Sequence, residues 1–366
     1  MVDQLSHIDA CRLCGAPLVD PQLNLNNLCA NCAAPELAIL GQTPQAASGS
    51  AAEAAAPYSP QRVTPEAEPA QPTSDPDNPR WGPALGIAAW LFSVAAIIII
   101  PLIAVVVWYL IERKMGRPVP DLRDQEGMVA WALSPNAVLT QVIFTGVGHL
   151  FTLAFCWLTV TRARRFHFWE SFGMKWSINP TLARAVFAAG IVIAISGADN
   201  WGQRLLFTAL LGLLASNNPK VHKTIFVLGT ATIMVGVQVA LSKLIPQTEK
   251  TPFEEILKTS ANVRIAVALM AVLTAPLIEE MIYRGMLYSG LRKKLGIAPA
   301  IVIVTLLFAG VHVPQYNGAW GALTALTILS LALTVIRART RSLLPPIWIH
   351  LVFNSFGAIG ILMQNY

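Results

Sequence analysis

Residues 84–111 read ALGIAAWLFSVAAIIIIPLIAVVVWYLI and contain no charged side chain. A helix needs about 20 such residues to cross the hydrocarbon core of a bilayer, so an uncharged run of this length is long enough to span. Within lipid every backbone N–H and C=O must find a partner inside the protein, which leaves an α-helix as the form such a run takes. A second run lies at 137–160, and others at 182–198, 203–215, 224–245, 263–290, 297–312, 319–336 and 345–364. Those at 203–215 and 297–312 are short for a full crossing. The expected fold over residues 81–366 is all-α, a polytopic membrane bundle of eight or nine helices. Composition agrees: 13% of residues are charged, against about 25% in an ordinary soluble domain, and the mean hydropathy is +0.55.

The polar end of the chain reads differently. Cys11, Cys14, Cys29 and Cys32 form two C-x2-C pairs within residues 1–36. Two such pairs can place four thiolates around one tetrahedral zinc ion. A segment this short buries too little surface to fold alone, so metal binding would supply the folding free energy. Disulfides or a redox-active pair are the alternatives, but nothing in the sequence suggests export of this end and no βαβ pattern surrounds the cysteines. A structural zinc in a ribbon-like module is the expectation, with a protein partner as its use, because four cysteines leave no open coordination position. Residues 37–80, rich in Ala, Pro, Ser and Gln, are expected to be a disordered linker. The first forty residues lack the apolar core of a cleavable signal peptide, so the first apolar helix is expected to act as the insertion signal.

The net charge is +6. Its basic residues gather in short segments beside apolar runs, at Arg162/Arg164/Arg165, Arg292/Lys293/Lys294 and Arg337/Arg339/Arg341. That pattern fits the positive-inside bias of membrane proteins and not the footprint of a nucleic-acid binder. Placing all three clusters in the cytoplasm puts the N-terminus inside and the C-terminus outside, with the basic loop at 112–136 on the far side. A bacterial cytoplasmic membrane is the expected location. The stretch RARRFHFWESFGMKW (162–176) mixes cations with aromatic rings. It suits either an interfacial helix or a solvated loop.

One stretch contradicts its surroundings. APLIEEMIYRG (275–285) places two carboxylates and an arginine in a run otherwise apolar enough to enter a bilayer. Each charge at mid-bilayer costs about 2.5–3.5 kcal/mol on insertion scales unless paired or solvated. Glu280 and Arg284 stand four apart with the acid first, the favourable order for a helical ion pair. Glu279 points about 100° away and has no local cation. On later helices His312 follows Phe308 by four residues, and Asn354 follows His350 by four, each pair on one face. Singly, such residues are often only helix–helix hydrogen bonds, and His149, isolated in the second run, is read that way. Converging, they support amide hydrolysis: a glutamate deprotonates water, one imidazole orients it or takes a proton, and an imidazole with an amide binds the developing oxyanion. One difficulty is depth. In a simple zigzag His312 ends its helix about 27 Å from the basic residues 292–294, while Glu279 and His350 are expected nearer the cytoplasmic side.

In order along the chain, E-E-x-x-x-R (Glu279, Glu280, Arg284), F-x-x-x-H (Phe308, His312) and H-x-x-x-N (His350, Asn354) resemble the type II CAAX prenyl endopeptidases and their bacterial relatives, the CPBP or Abi intramembrane proteases. Flanking residues Ala275-Pro276, Gly285 and Pro345-Pro346 agree, and the resemblance covers about 250–364. It implies an all-helical intramembrane endopeptidase acting on a membrane-associated or CAAX-like substrate. Glu279 would be the general base assisted by His312, His350 and Asn354 would bind the oxyanion, and Glu280, Arg284 and Phe308 would support the site. The four polar groups would hold either a zinc ion or only a water; an amide is a poor zinc ligand, which favours the metal-free form. Tyr283 stands where the family usually has Phe. No H-E-x-x-H or G-x-S-x-G motif is present, which argues against other intramembrane protease classes. The rival reading is a silent membrane scaffold or bacteriocin-immunity protein that recruits partners through its zinc module.

Overall fold

The computed structural model describes residues 75–161, 167–197, 201–245, 247 and 250–363. The four-cysteine module, nearly all of the linker and the cluster at 162–165 lie outside the described residues. Among those described there is no strand. The elements are α1 (Pro83–Lys114), α2 (Gln125–Ala132), α3 (Pro135–Thr161), the single turn α4 (Phe168–Ser171), α5 (Pro180–Ser196), α6 (Trp201–Leu210) and α7 (Pro219–Leu244). They continue with α8 (Pro252–Lys258), α9 (Ala261–Leu273), α10 (Ala275–Glu280), a π-helical turn at Met281–Leu287, α11 (Tyr288–Leu295), α12 (Ile297–His312), α13 (Trp320–Thr340) and α14 (Leu344–Met363).

Six of these stretches are long and apolar enough to cross a membrane, counting Ala261–Leu295 as one, and three shorter apolar helices accompany them. The expected all-helical bundle is therefore present. Helix starts are written locally. Asn179 and Asn218 accept backbone N–H groups at the heads of α5 and α7, each followed by proline at the first helical position. Thr251 and Glu254 form a reciprocal capping box at the head of α8. On α1, Leu91, Ile98, Leu102 and Val106 are half exposed, whereas Ala89, Ser93, Ala96 and Ala104 are buried. An apolar outer face with small residues inward is the arrangement of a helix that meets lipid on one side and protein on the other.

Packing divides into two main cores. One gathers α1, α3, the π-helical turn, α11 and α12 around Met281, Met286, Leu287 and Phe308. The other joins α5, α7, α13 and α14 around Phe187, Ile225, Leu329 and Leu333. The segment 275–287 touches both α1 and α14, so the glutamates sit where the two cores meet.

Of the stretch 162–176, expected as an interfacial helix or a solvated loop, residues 167–176 are described. Only Phe168–Ser171 is helical, and Gly173 follows at φ 65°, a left-handed conformation that glycine adopts without strain. Phe168 and Phe172 are buried against each other and, through Phe172, against Trp81; Trp169 stays half exposed. The described part of the segment is held by core packing through Phe168 and Phe172.

Candidate active site

α9 ends at Leu273 because Pro276 brings no N–H for the next helical bond. α10 restarts the helix and delivers Glu279 and Glu280. Directly after them the chain widens into a π-helical turn, with the Tyr288 N–H bonded to the Tyr283 carbonyl. Single turns of this kind recur at functional sites because they rephase the side chains on either side.

Glu280 is fully buried. Its Oε1 accepts from Arg284 Nη1 at 2.8 Å and stands 2.8 Å from His350 Nδ1. Oε2 has no hydrogen-bond partner among the described residues. Arg284 is equally buried and bonded through all three nitrogens: Nη2 donates to the Ser330 carbonyl at 3.0 Å and hydroxyl at 2.8 Å, and Nε to Thr334 Oγ1 at 3.2 Å. The Phe308 ring covers its guanidinium at 4.9 Å. Phe308 also lies against the rings of Tyr283, His312 and His350, so one side chain sets the spacing of the whole group.

Glu279 is different. Its side chain is 25% exposed and, among the described residues, no arginine or lysine pairs with it. It opens into a cavity of about 90 Å³ lined also by Trp90, Ser93, His149, Tyr283, His312 and Gln315, room for about three waters at roughly 30 Å³ each. Of three larger hollows, those of about 500 and 630 Å³ are lined by apolar residues apart from Thr140, and the third, about 440 Å³, includes Lys175 and Arg339 and lies away from the glutamates. His350 Nε2 stands 3.8 Å from Glu279 Oε2, outside hydrogen-bond distance. His350 thus faces Glu280 through one ring nitrogen and Glu279 through the other.

His312 Nδ1 donates to the Phe308 carbonyl at 2.7 Å, since a carbonyl can only accept. In the neutral ring this leaves Nε2 as a bare acceptor on a residue that lines the cavity. The depth difficulty disappears in this structure. Glu279 lies 17 residues before Gly296 and His312 lies 16 after it, so the two arms of the hairpin carry them to matching depth at 1.5 Å per helical residue.

Asn354 is placed otherwise than the convergence expected. Its amide donates to the Ala271 carbonyl at 2.8 Å, tying α14 to α9, and it is not among the residues lining the cavity. A second N–H of the same amide remains.

His149 belongs to the group although the sequence reading left it as packing. It is buried, its Nδ1 bonds Thr274 Oγ1 at 2.9 Å, and it lines the cavity opposite Glu279. The signal was present: an ionisable side chain inside an apolar span carries a cost that usually marks function. The extra hydroxyl of Tyr283 accepts from Trp90 Nε1 at 3.2 Å. In the loop that follows His312, burial pushes the Tyr316 phenol up to about 12, with the negative Glu279 adding to the shift.

Among the described residues no three His, Cys, Asp or Glu side chains stand together closely enough to hold a metal ion. Both nitrogens of His350 already face carboxylates.

No curated protein and no solved structure matches the chain. Residues 261–356 match the family model described as type II CAAX prenyl endopeptidase Rce1-like. That stretch holds every residue of the three motifs, and it is similar to the domain of the Rce1-like type II CAAX prenyl endopeptidases.

Proposed function

We propose that the protein is an integral, multi-pass membrane endopeptidase that cleaves peptide bonds of membrane-associated or CAAX-like substrates with a water activated by Glu279. The observation that carries this reading is the division of labour between adjacent acids. Glu280 has its charge compensated by Arg284 and His350, while Glu279, with no arginine or lysine partner among the described residues, opens onto a small cavity shared with His312. A carboxylate held so is available as a base.

In the proposed step Glu279 takes a proton from water and the resulting hydroxide attacks the scissile carbonyl carbon. The C–N bond then breaks and the proton passes to the leaving nitrogen. His312, with Nε2 bare, orients the water. The oxyanion needs donors: the Tyr283 hydroxyl, whose own proton is not engaged by Trp90, lines the cavity, and His350 Nε2 and the remaining Asn354 N–H, on α14 beside it, are the donors that the resemblance adds. Four thiolates of Cys11, Cys14, Cys29 and Cys32 would hold a structural zinc that serves a protein partner. The N-terminal side is proposed to be cytoplasmic, a placement supported by the gathering of Arg292, Arg337 and Arg341 at one end of the bundle beside residues 75–79.

A comparison of membrane proteomes tests the reading. Cells making only the Glu279→Gln form, at wild-type level, are expected to accumulate full-length substrates that wild-type cells hold as fragments. Identical fragment patterns in the two would overturn it.

A further inference from the structure

Residues 75–81, the short stretch before α1, are fastened into the basic end of the bundle. Asp77 is inserted among three arginines. Its carboxylate pairs with Arg292 on α11 and with Arg341 after α13, and stands 3.4 Å from Arg337 Nη1 on α13. Asp75 adds a second contact to Arg341 at 3.1 Å. The backbone takes part as well: the Pro76 carbonyl accepts from Arg337 at 2.9 Å and the Pro79 carbonyl from Lys293 at 3.1 Å. The Trp81 indole donates to the Met286 carbonyl, inside the π-helical turn, at 3.1 Å. Gly290 lets the chain seat closely, since a Cβ there would stand 2.8 Å from the Gly82 carbonyl. This is not a surface ion pair of the usual weak kind. The Asp77 side chain is 8% exposed and that of Arg337 is 1% exposed.

From Arg337 a continuous set of polar contacts leads to the glutamates. Arg337 Nη2 donates to Ser289 Oγ at 3.3 Å, and Ser289 Oγ donates to the Arg284 carbonyl at 3.3 Å. Arg284 holds Glu280, Glu280 holds His350, and His350 faces Glu279. Every link except the last is buried.

We propose that Asp77 is a positioning residue for the reaction. Seated among Arg292, Arg337 and Arg341, it fixes Ser289 and the π-helical turn, and through them the Arg284–Glu280–His350 set that orients the base. By sequence this stretch joins the cysteine-bearing end to the helices. The proposal rests on the proteolytic reading for its kinetic arm only.

The test uses the full chain in detergent micelles, with Asp77→Ala, Asp77→Asn and Asp77→Glu. In the first two, backbone amide exchange is expected to rise in residues 281–292 and stay at wild-type level in α5 and α7, and kcat to fall about tenfold with KM changed less than about twofold. Asp77→Glu restores both. Unchanged exchange at 281–292 overturns the latch, whether or not the protein cleaves anything. Faster exchange throughout the bundle overturns it too, because Asp77 would then be a general anchor. A rise in kcat on losing Asp77 contradicts the positioning role. Should wild type cleave no substrate, the proteolytic reading fails and the exchange measurement alone decides the latch.

Discussion

Glu279 and Glu280 are neighbours in sequence with opposite surroundings, and most of the site follows from that difference. A fully buried carboxylate persists as an ion only when paired and hydrogen-bonded. Glu280 meets that condition through Arg284 and His350. Removing one member leaves the other charged and unpaired in a dry interior, which costs about 3–5 kcal/mol. Arg284→Ala is therefore expected to lower the thermal midpoint and yield in detergent sharply, and Arg284→Lys to recover only part, since an ammonium cannot replace the fork that reaches Glu280, Ser330 and Thr334 together. His312→Ala should behave differently, folding normally while kcat drops about 10²-fold or more, as for loss of a general acid–base partner. The three motifs were legible because charges and imidazoles in apolar helices stand out by cost alone. The partners of those residues were not. Asn354 bonds the backbone carbonyl of Ala271, an acceptor that every residue offers and no sequence marks. Ser330 and Thr334 read as ordinary small residues of a membrane helix, where most hydroxyls bond their own i−4 carbonyl. His149 became significant only once α3 was seen to face α10.

The helices themselves were largely visible as runs of apolar residues bounded by Asn-Pro, Thr-Pro and Gly; the two runs expected to be short, 203–215 and 297–312, remain short in the structure, and the helix over 182–198 proves short as well. What the runs concealed is the internal construction of 263–290. It reads as one span, yet it breaks at Thr274 and widens at Met281–Leu287. Hydrophobic periodicity cannot reveal one extra residue in a turn when every face is apolar. Close packing was equally hidden. α5 and α7 meet at Gly190 and Gly229, where a Cβ on Gly229 would stand 2.6 Å from the Phe187 Cα. Backbone cannot yield as a flexible side chain does, so Gly229→Ala is expected to destabilise by about 1–3 kcal/mol, the usual cost of overpacking. The effect is checked by comparing midpoints of unfolding with Gly212→Ala, a position with open space around it.

The bundle gathers Arg292, Arg337 and Arg341 at one end and holds a small cavity, lined in part by polar side chains, among its apolar helices. The cysteine-bearing end is a separate matter of chemistry. Full-length protein is expected to carry a single zinc held by four thiolates, lost in Cys11→Ser with the unfolding midpoint of the helices unchanged, and metal analysis with a thermal scan reads both. The central claim concerns the helices. It is tested most directly by a single-turnover assay in reconstituted vesicles with a membrane-anchored reporter peptide, comparing wild type with Glu279→Gln. That substitution keeps the shape of the side chain and removes its basicity, so the chemical step is expected to slow by about 10²–10⁴-fold with reporter binding and thermal midpoint unchanged. Cleavage by the Gln form at the wild-type rate would mean that Glu279 is not the base.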